Sequence, residues 1–90
     1  MLEVKKGTNK FYIGDSEEKP LAEMTFVCSG ENLIVVEHTF VSGELGGQGV
    51  GKLLLTELVD WVRRENKKIV PICSYVKAQI EKNKDYHDLL

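Results

Sequence analysis

The spacing of apolar residues changes once along this chain, between residues 41 and 50. Before the change, short apolar runs alternate with polar turns. Residues 2–6 (LEVKK) and 10–14 (KFYIG) read as strands around the turn Gly7-Thr8-Asn9. A polar loop, 15–20, ends in Pro20, and residues 21–28 (LAEMTFVC) follow as a third strand. After Ser29-Gly30-Glu31-Asn32, residues 33–41 (LIVVEHTFV) are apolar and β-branched on both faces, which predicts a strand covered on both sides. Four strands joined by short polar turns predict an antiparallel meander.

From Val50 to Arg64 the apolar positions are 50, 53, 54, 55, 58, 59, 61 and 62, which is helical spacing with a wide apolar face. Arg63 and Arg64 fall in the last turn, where cations suit the helix dipole. Residues 68–73 (KIVPIC) predict a fifth strand. Residues 74–83 (SYVKAQIEKN) predict a second helix, with Ser74 as N-cap and Val76 and Ile80 facing inward. The expected fold class is α/β of the α+β type. It is a mixed, mostly antiparallel five-stranded sheet with two helices, in the order β-β-β-β-α-β-α. No linker interrupts it, so residues 1–90 read as a single domain.

Composition narrows the function classes. The net charge of −2 argues against nucleic acid as a partner, because phosphate backbones need a basic surface. No run approaches the roughly 20 apolar residues of a membrane span, and the first residues, MLEVKKGTNK, lack the apolar core of a signal peptide. Cys28 and Cys73 are too few for a disulfide scaffold and are not spaced as zinc ligands, so no metal site is expected. Two free thiols point to the cytoplasm. A monomer or weak dimer is expected.

The change of period coincides with GELGGQGVG, residues 43–51, in which five of nine positions are glycine. Each interior glycine costs roughly 0.5–1 kcal/mol in chain entropy. The first amides of a helix lack intrahelical partners and carry partial positive charge. Ser, Thr, Asp or Asn usually caps them, but Gly46, Gly47, Gln48 and Gly49 precede Val50 here. Either a phosphate sits on these amides, or the loop is a solvated turn. The P-loop pattern is satisfied from Gly46 to Lys52, but Leu53 stands where a hydroxyl must ligate magnesium. The dinucleotide fingerprint fails because Lys52 or Leu54 occupies its third glycine position.

A third pattern fits. An apolar strand, a short turn, Gly49-x-Gly51 and a leucine-rich helix resemble the acyl-CoA-binding motif of the GNAT N-acetyltransferase superfamily. Gly46 stands where that family places Gln or Arg. EHTFV at 37–41 and IVPICSYVKAQIEKNKDYHDLL at 69–90 resemble a compact single-domain GNAT-like subgroup, so the likeness covers nearly the whole chain. The resemblance implies acetyl-CoA as cofactor, held by Gly46, Gly47, Gln48, Gly49, Val50, Gly51 and Lys52. It also implies that the fourth and fifth strands splay around the pantetheine arm, with backbone groups of Thr39, Phe40 and Val41 serving the thioester. Pro71 cannot donate to a ladder. Either pairing breaks beside it or the fifth strand is simply an edge there.

Four residues are candidates at the thioester. Imidazole is the common base of neutral-pH catalysis, which nominates His38. Strict alternation puts His38 on the face of Val36 and Phe40, and the competing base Glu37 on the face of Val35 and Thr39. Cys73 closes the fifth strand and is expected near His38, as a thiolate nucleophile or as part of the wall. Tyr75 and Tyr86 are candidate acids, a role the resemblance implies for a phenol near the CoA sulfur. The expected activity is acetyl transfer from acetyl-CoA to an amine acceptor, a small molecule or a protein. The alternative is an acyl-CoA-binding module with little catalysis.

Overall fold

The computed structural model describes residues 3–90. The strands are β1 (Lys5–Gly7), β2 (Lys10–Ile13), β3 (Ala22–Ser29), β4 (Leu33–Val41) and β5 (Lys68–Pro71); the helices are α1 (Val50–Arg64) and α2 (Ser74–Lys82). Short 3-10 turns add Gly43–Leu45 and Lys84–Leu89. The bounds of β4 and α1 coincide with the pattern of the sequence. β1 starts later than expected and runs through Gly7; the expected start at Leu2 lies outside the described residues. Gly7 pairs with Lys10, which leaves Thr8 and Asn9 as a two-residue turn, with Asn9 at φ 58°. β5 stops two residues early, at Pro71.

The sheet order is β1-β2-β3-β4-β5. The first four strands are antiparallel neighbours, and β4 pairs with β5 in parallel. A parallel pair needs a crossover, and α1 supplies it. Phe11 and Ile13 of β2, Ala22, Met24 and Phe26 of β3, and Ile34 and Val36 of β4 are buried on one face. Leu54, Leu58 and Val62 recur along α1 at helical spacing and are fully buried against it. Val76 and Ile80 bring α2 into the same core, and Leu89 brings in the C-terminal turn. Trp61 closes one side by packing at a tilt against Phe26, with ring centroids 5.0 Å apart.

Among the described residues, no helix lies over the other face of the sheet. Val27, Val35 and Val70 lie side by side across β3, β4 and β5, and Val27 and Val70 are each 37% exposed. β4 is therefore covered on one side only, which corrects the expectation drawn from its apolar run. An apolar run matches a doubly covered strand, but here the connections between the early strands are too short to provide the second layer. No helix among the described residues is long and apolar enough to cross a membrane.

Candidate functional site

β4 and β5 stay paired only from Leu33/Lys68 to Val36/Pro71. There the amides of Ile72 and Cys73 both donate to Val36 O, at 3.1 and 3.0 Å, and the chain turns into α2. β4 runs on to Val41, paired with β3 alone. The two strands thus part, and both readings of Pro71 hold: β5 is an edge strand and its pairing ends at the proline.

The register with β3 shifts at the same place. Thr25 pairs with His38 and Phe26 with Val36, which leaves Glu37 as an extra residue in β4. Such a bulge reverses the alternation beyond it. Thr39, opposite Met24, joins the core face, whereas His38, opposite Thr25, falls on the open face and is exposed. The faces inferred by strict alternation are corrected accordingly, since that reading assumed an unbroken strand. Cys73 meets Thr39 rather than His38: Thr39 Oγ1 and Cys73 Sγ are 3.3 Å apart.

Beyond the parting lies a cleft of about 490 Å³, bounded by Thr39 and Val41 of β4, the glycine loop and Tyr75 of α2. Of the residues expected to hold the cofactor, Thr39, Val41, Gly46, Gly47, Gly49, Val50 and Gly51 line it. Phe40, Gln48 and Lys52 are exposed and do not. Ser42, Gly43 and Leu45 line it as well. Nothing in their residue types marks them; only their place between a strand and the glycines does.

The glycines have separate reasons. Gly49 is the N-cap of α1 in the left-handed region, φ 69° and ψ 27°, with no side-chain capping bond. Gly47 has φ 80°, and a Cβ on either residue would meet nothing within 4 Å. These positions need positive φ, and the surface above them is bare. The uncapped first turn holds Lys52 and no acidic side chain. Space, free amides and charge all suit an anion. Gly51 is helical, and a Cβ there would lie 2.6 Å from the Tyr75 hydroxyl. Its smallness admits the close approach of Tyr75 from α2.

Cys73, rather than the expected Ser74, is the N-cap of α2. Burial pushes the Cys73 thiol up. Hydrogen bonding from Thr39 and from the backbone of Val76 and Tyr75 outweighs that and leaves it below its ordinary value. Burial, and then the charge of Cys73, push the Tyr75 phenol up, so it keeps its proton. A thiolate-prone sulfur and a proton-holding phenol therefore flank one end of the cleft. Tyr86 lines a separate cavity, with Lys52, and the Arg63 guanidinium lies 5.9 Å from its ring centroid. Among the described residues, no group of three or more His, Cys, Asp or Glu side chains is arranged to hold a metal ion.

Comparison with known proteins agrees with this architecture. The profile of the GCN5-related N-acetyltransferase family matches residues 10–89. The solution structure of a "GCN5-like putative N-acetyltransferase" from Staphylococcus aureus superposes with a TM-score of 0.82 at 51% sequence identity, covering 98% of this chain and 86% of that one. No curated protein matches. A sheet that parts beside an uncapped, glycine-lined helix start, together with a family match along almost the whole chain, leads to one assignment: the chain belongs to the GCN5-related N-acetyltransferase family and is an acetyltransferase.

Proposed function

We propose that this domain transfers an acetyl group from acetyl-CoA to an amine, with the parted strands as the place where cofactor and acceptor meet. The observation that carries the reading is the cleft running from the bare glycine amides to Thr39 and Tyr75. It fits an extended molecule with phosphates at one end and a thioester at the other. Acetyl-CoA would supply the activated acetyl group. Gly47, Gly49 and the first amides of α1 would hold its pyrophosphate, and β4 beyond the bulge would offer backbone donors to the carbonyl oxygen.

The two faces of the sheet divide the remaining roles. On the cleft side, Tyr75 is the proton donor for the departing thiolate, a role supported by its raised pKa. Cys73 lines the thioester end through its contact with Thr39. On the open face, His38 is the base that receives the amine proton. Its exposure and its position at the bulge support an acceptor arriving from that face. No helix among the described residues roofs that face, which favours an exposed amine on a protein or a small polyamine. A cytoplasmic setting is supported by the free thiols Cys28 and Cys73.

The test is turnover of acetyl-CoA with a panel of polyamines, lysine peptides and N-terminal peptides, followed by release of free CoA thiol. The proposal expects turnover with at least one amine, a steep loss in H38A at neutral pH, and a loss in Y75F concentrated in kcat. Binding of acetyl-CoA without turnover on any amine would overturn the transferase reading. Full activity in C73A would show that the acetyl group never passes through Cys73.

A further inference from the structure

We propose that the open face of the sheet selects an acceptor lysine inside an extended protein segment, with apolar side chains two residues before and two residues after it. The inference rests on the acetyl-transfer reading above and deepens it by naming the class of amine.

Four of the eight large apolar side chains exposed among the described residues share this one face: Val27 of β3, Leu33 and Phe40 of β4, and Val70 of β5. Half-buried Val35 joins Val27 to Val70. Single exposed apolar residues are ordinary, but apolar residues gathered on one uncovered face mark a surface that a partner covers. His38 stands between two parts of it. Phe40 lies two residues beyond His38 on β4, and the row Val27–Val35–Val70 lies before it, on the other side of the bulge.

This spacing fits an extended chain. Successive side chains of a strand point to opposite sides, and alternate ones recur roughly 7 Å apart on one side. A segment lying along β4 with its lysine at His38 brings the residues two before and two after onto the apolar parts, and turns the adjacent ones to solvent. The four-carbon stem of lysine lets its amine reach beyond Val36 and Pro71, the last paired residues, to where β4 and β5 part. An N-terminal α-amine has no such stem, and its chain continues on one side only.

Charge on the face supports the same class. The register puts Lys5, Lys10 and Lys68 here, and each ammonium is already engaged. Lys5 Nζ donates to Gly14 O, Lys10 Nζ to Glu17 O and Glu23 Oε1, and Lys68 Nζ to Asp88 O. Glu37, the extra residue of the bulge, is exposed next to His38 and takes part in neither ion pair found among the described residues. One carboxylate beside the base matches one incoming ammonium. A polyamine would bring several ammonium groups and no apolar branches to a face that holds three cations and a row of valines.

The experiment measures kcat/KM, as release of free CoA thiol from acetyl-CoA, for spermidine and for three peptides with blocked termini and one lysine each. The first has valine two residues to either side of the lysine and serine at the adjacent positions. The second is its isomer with valine and serine exchanged, and the third has serine at all four positions. We expect the first peptide to exceed the other two by about tenfold, as half-burying two valines allows, and to exceed spermidine. V27S/V70S should bring the ratio of the first peptide to its isomer close to one, while L53S, at an exposed leucine of α1, leaves it unchanged. Equal rates for the two isomers, a ratio that survives in V27S/V70S, or spermidine as the better acceptor would overturn this inference and leave acetyl transfer standing. A dimer in light scattering that V27S/V70S takes apart would put a second copy on this face and overturn it as well. Absence of turnover with every amine, N-terminal peptides included, would overturn the acetyl-transfer reading with it.

Discussion

The Tyr75 hydroxyl of α2 lies 2.6 Å from the position a Cβ would take on Gly51 of α1. No real Cβ contact is that short, so Tyr75 and an alanine at residue 51 cannot keep this arrangement together. The atoms concerned are the far end of a flexible side chain, so the tyrosine swings out and the helices stay folded. G51A should therefore change stability little and lower acetyl transfer. In a Y75A background the same substitution should have almost no further effect on turnover. A double-mutant cycle on kcat/KM measures this coupling. Independent losses from the two substitutions would mean that Gly51 meets the cofactor directly.

Neighbouring glycines should respond in opposite ways. Gly49 holds φ 69°, whereas Gly46 has φ −58° and ψ 141°, a conformation open to any residue. G49A should cost about 1–2 kcal/mol of stability, the penalty for a Cβ in the left-handed region, and should weaken acetyl-CoA binding by distorting the start of α1. G46A should stay within about 0.5 kcal/mol of the parent, because its Cβ would meet only Gly43 O, at 3.3 Å. Urea unfolding with unchanged m-values checks both.

Cys73 gives a prediction in pH. Burial raises the thiol, but hydrogen bonds to the thiolate from Thr39 and the start of α2 outweigh it, so the thiol titrates below the pH of an ordinary cysteine. The rate of iodoacetamide alkylation follows the thiolate, so in a C28S background it should reach half its maximum below that pH. T39V removes the foremost lowering contact and leaves burial in place. The midpoint should therefore move up, and alkylation at neutral pH should slow. A midpoint that stays put in T39V would mean that Thr39 Oγ1 accepts from the thiol and gives the thiolate nothing.

Much of this arrangement was legible in the residues. The break in period before Val50 located α1 to the residue, and the β-branched run located β4. The absence of a capping side chain before Val50 was equally legible, and α1 opens from its N-cap Gly49 with no side-chain capping bond. What stayed hidden depends on registry between distant segments. The bulge at Glu37 leaves no mark in a run of apolar residues, and it moves Thr39 to the core face and His38 away from Cys73. Gly51 sits among glycines in the sequence, but its closeness to Tyr75, on another helix, is visible only in the fold. Tyr75 and Tyr86 were alike as candidate acids, and only the fold of α2 and the C-terminal turn assigns them to different cavities.

The central claim is that the parted strands and the glycine loop form one continuous cofactor site. It is tested most directly by titrating ¹⁵N-labelled protein with acetyl-CoA and, as control, with ATP and magnesium. The account predicts amide shifts over Gly46–Gly51, Thr39–Val41 and Cys73–Tyr75 with acetyl-CoA, and none with the control that reach the parted strands. Unmoved amides at millimolar acetyl-CoA, or shifts confined to residues outside these segments, would contradict it.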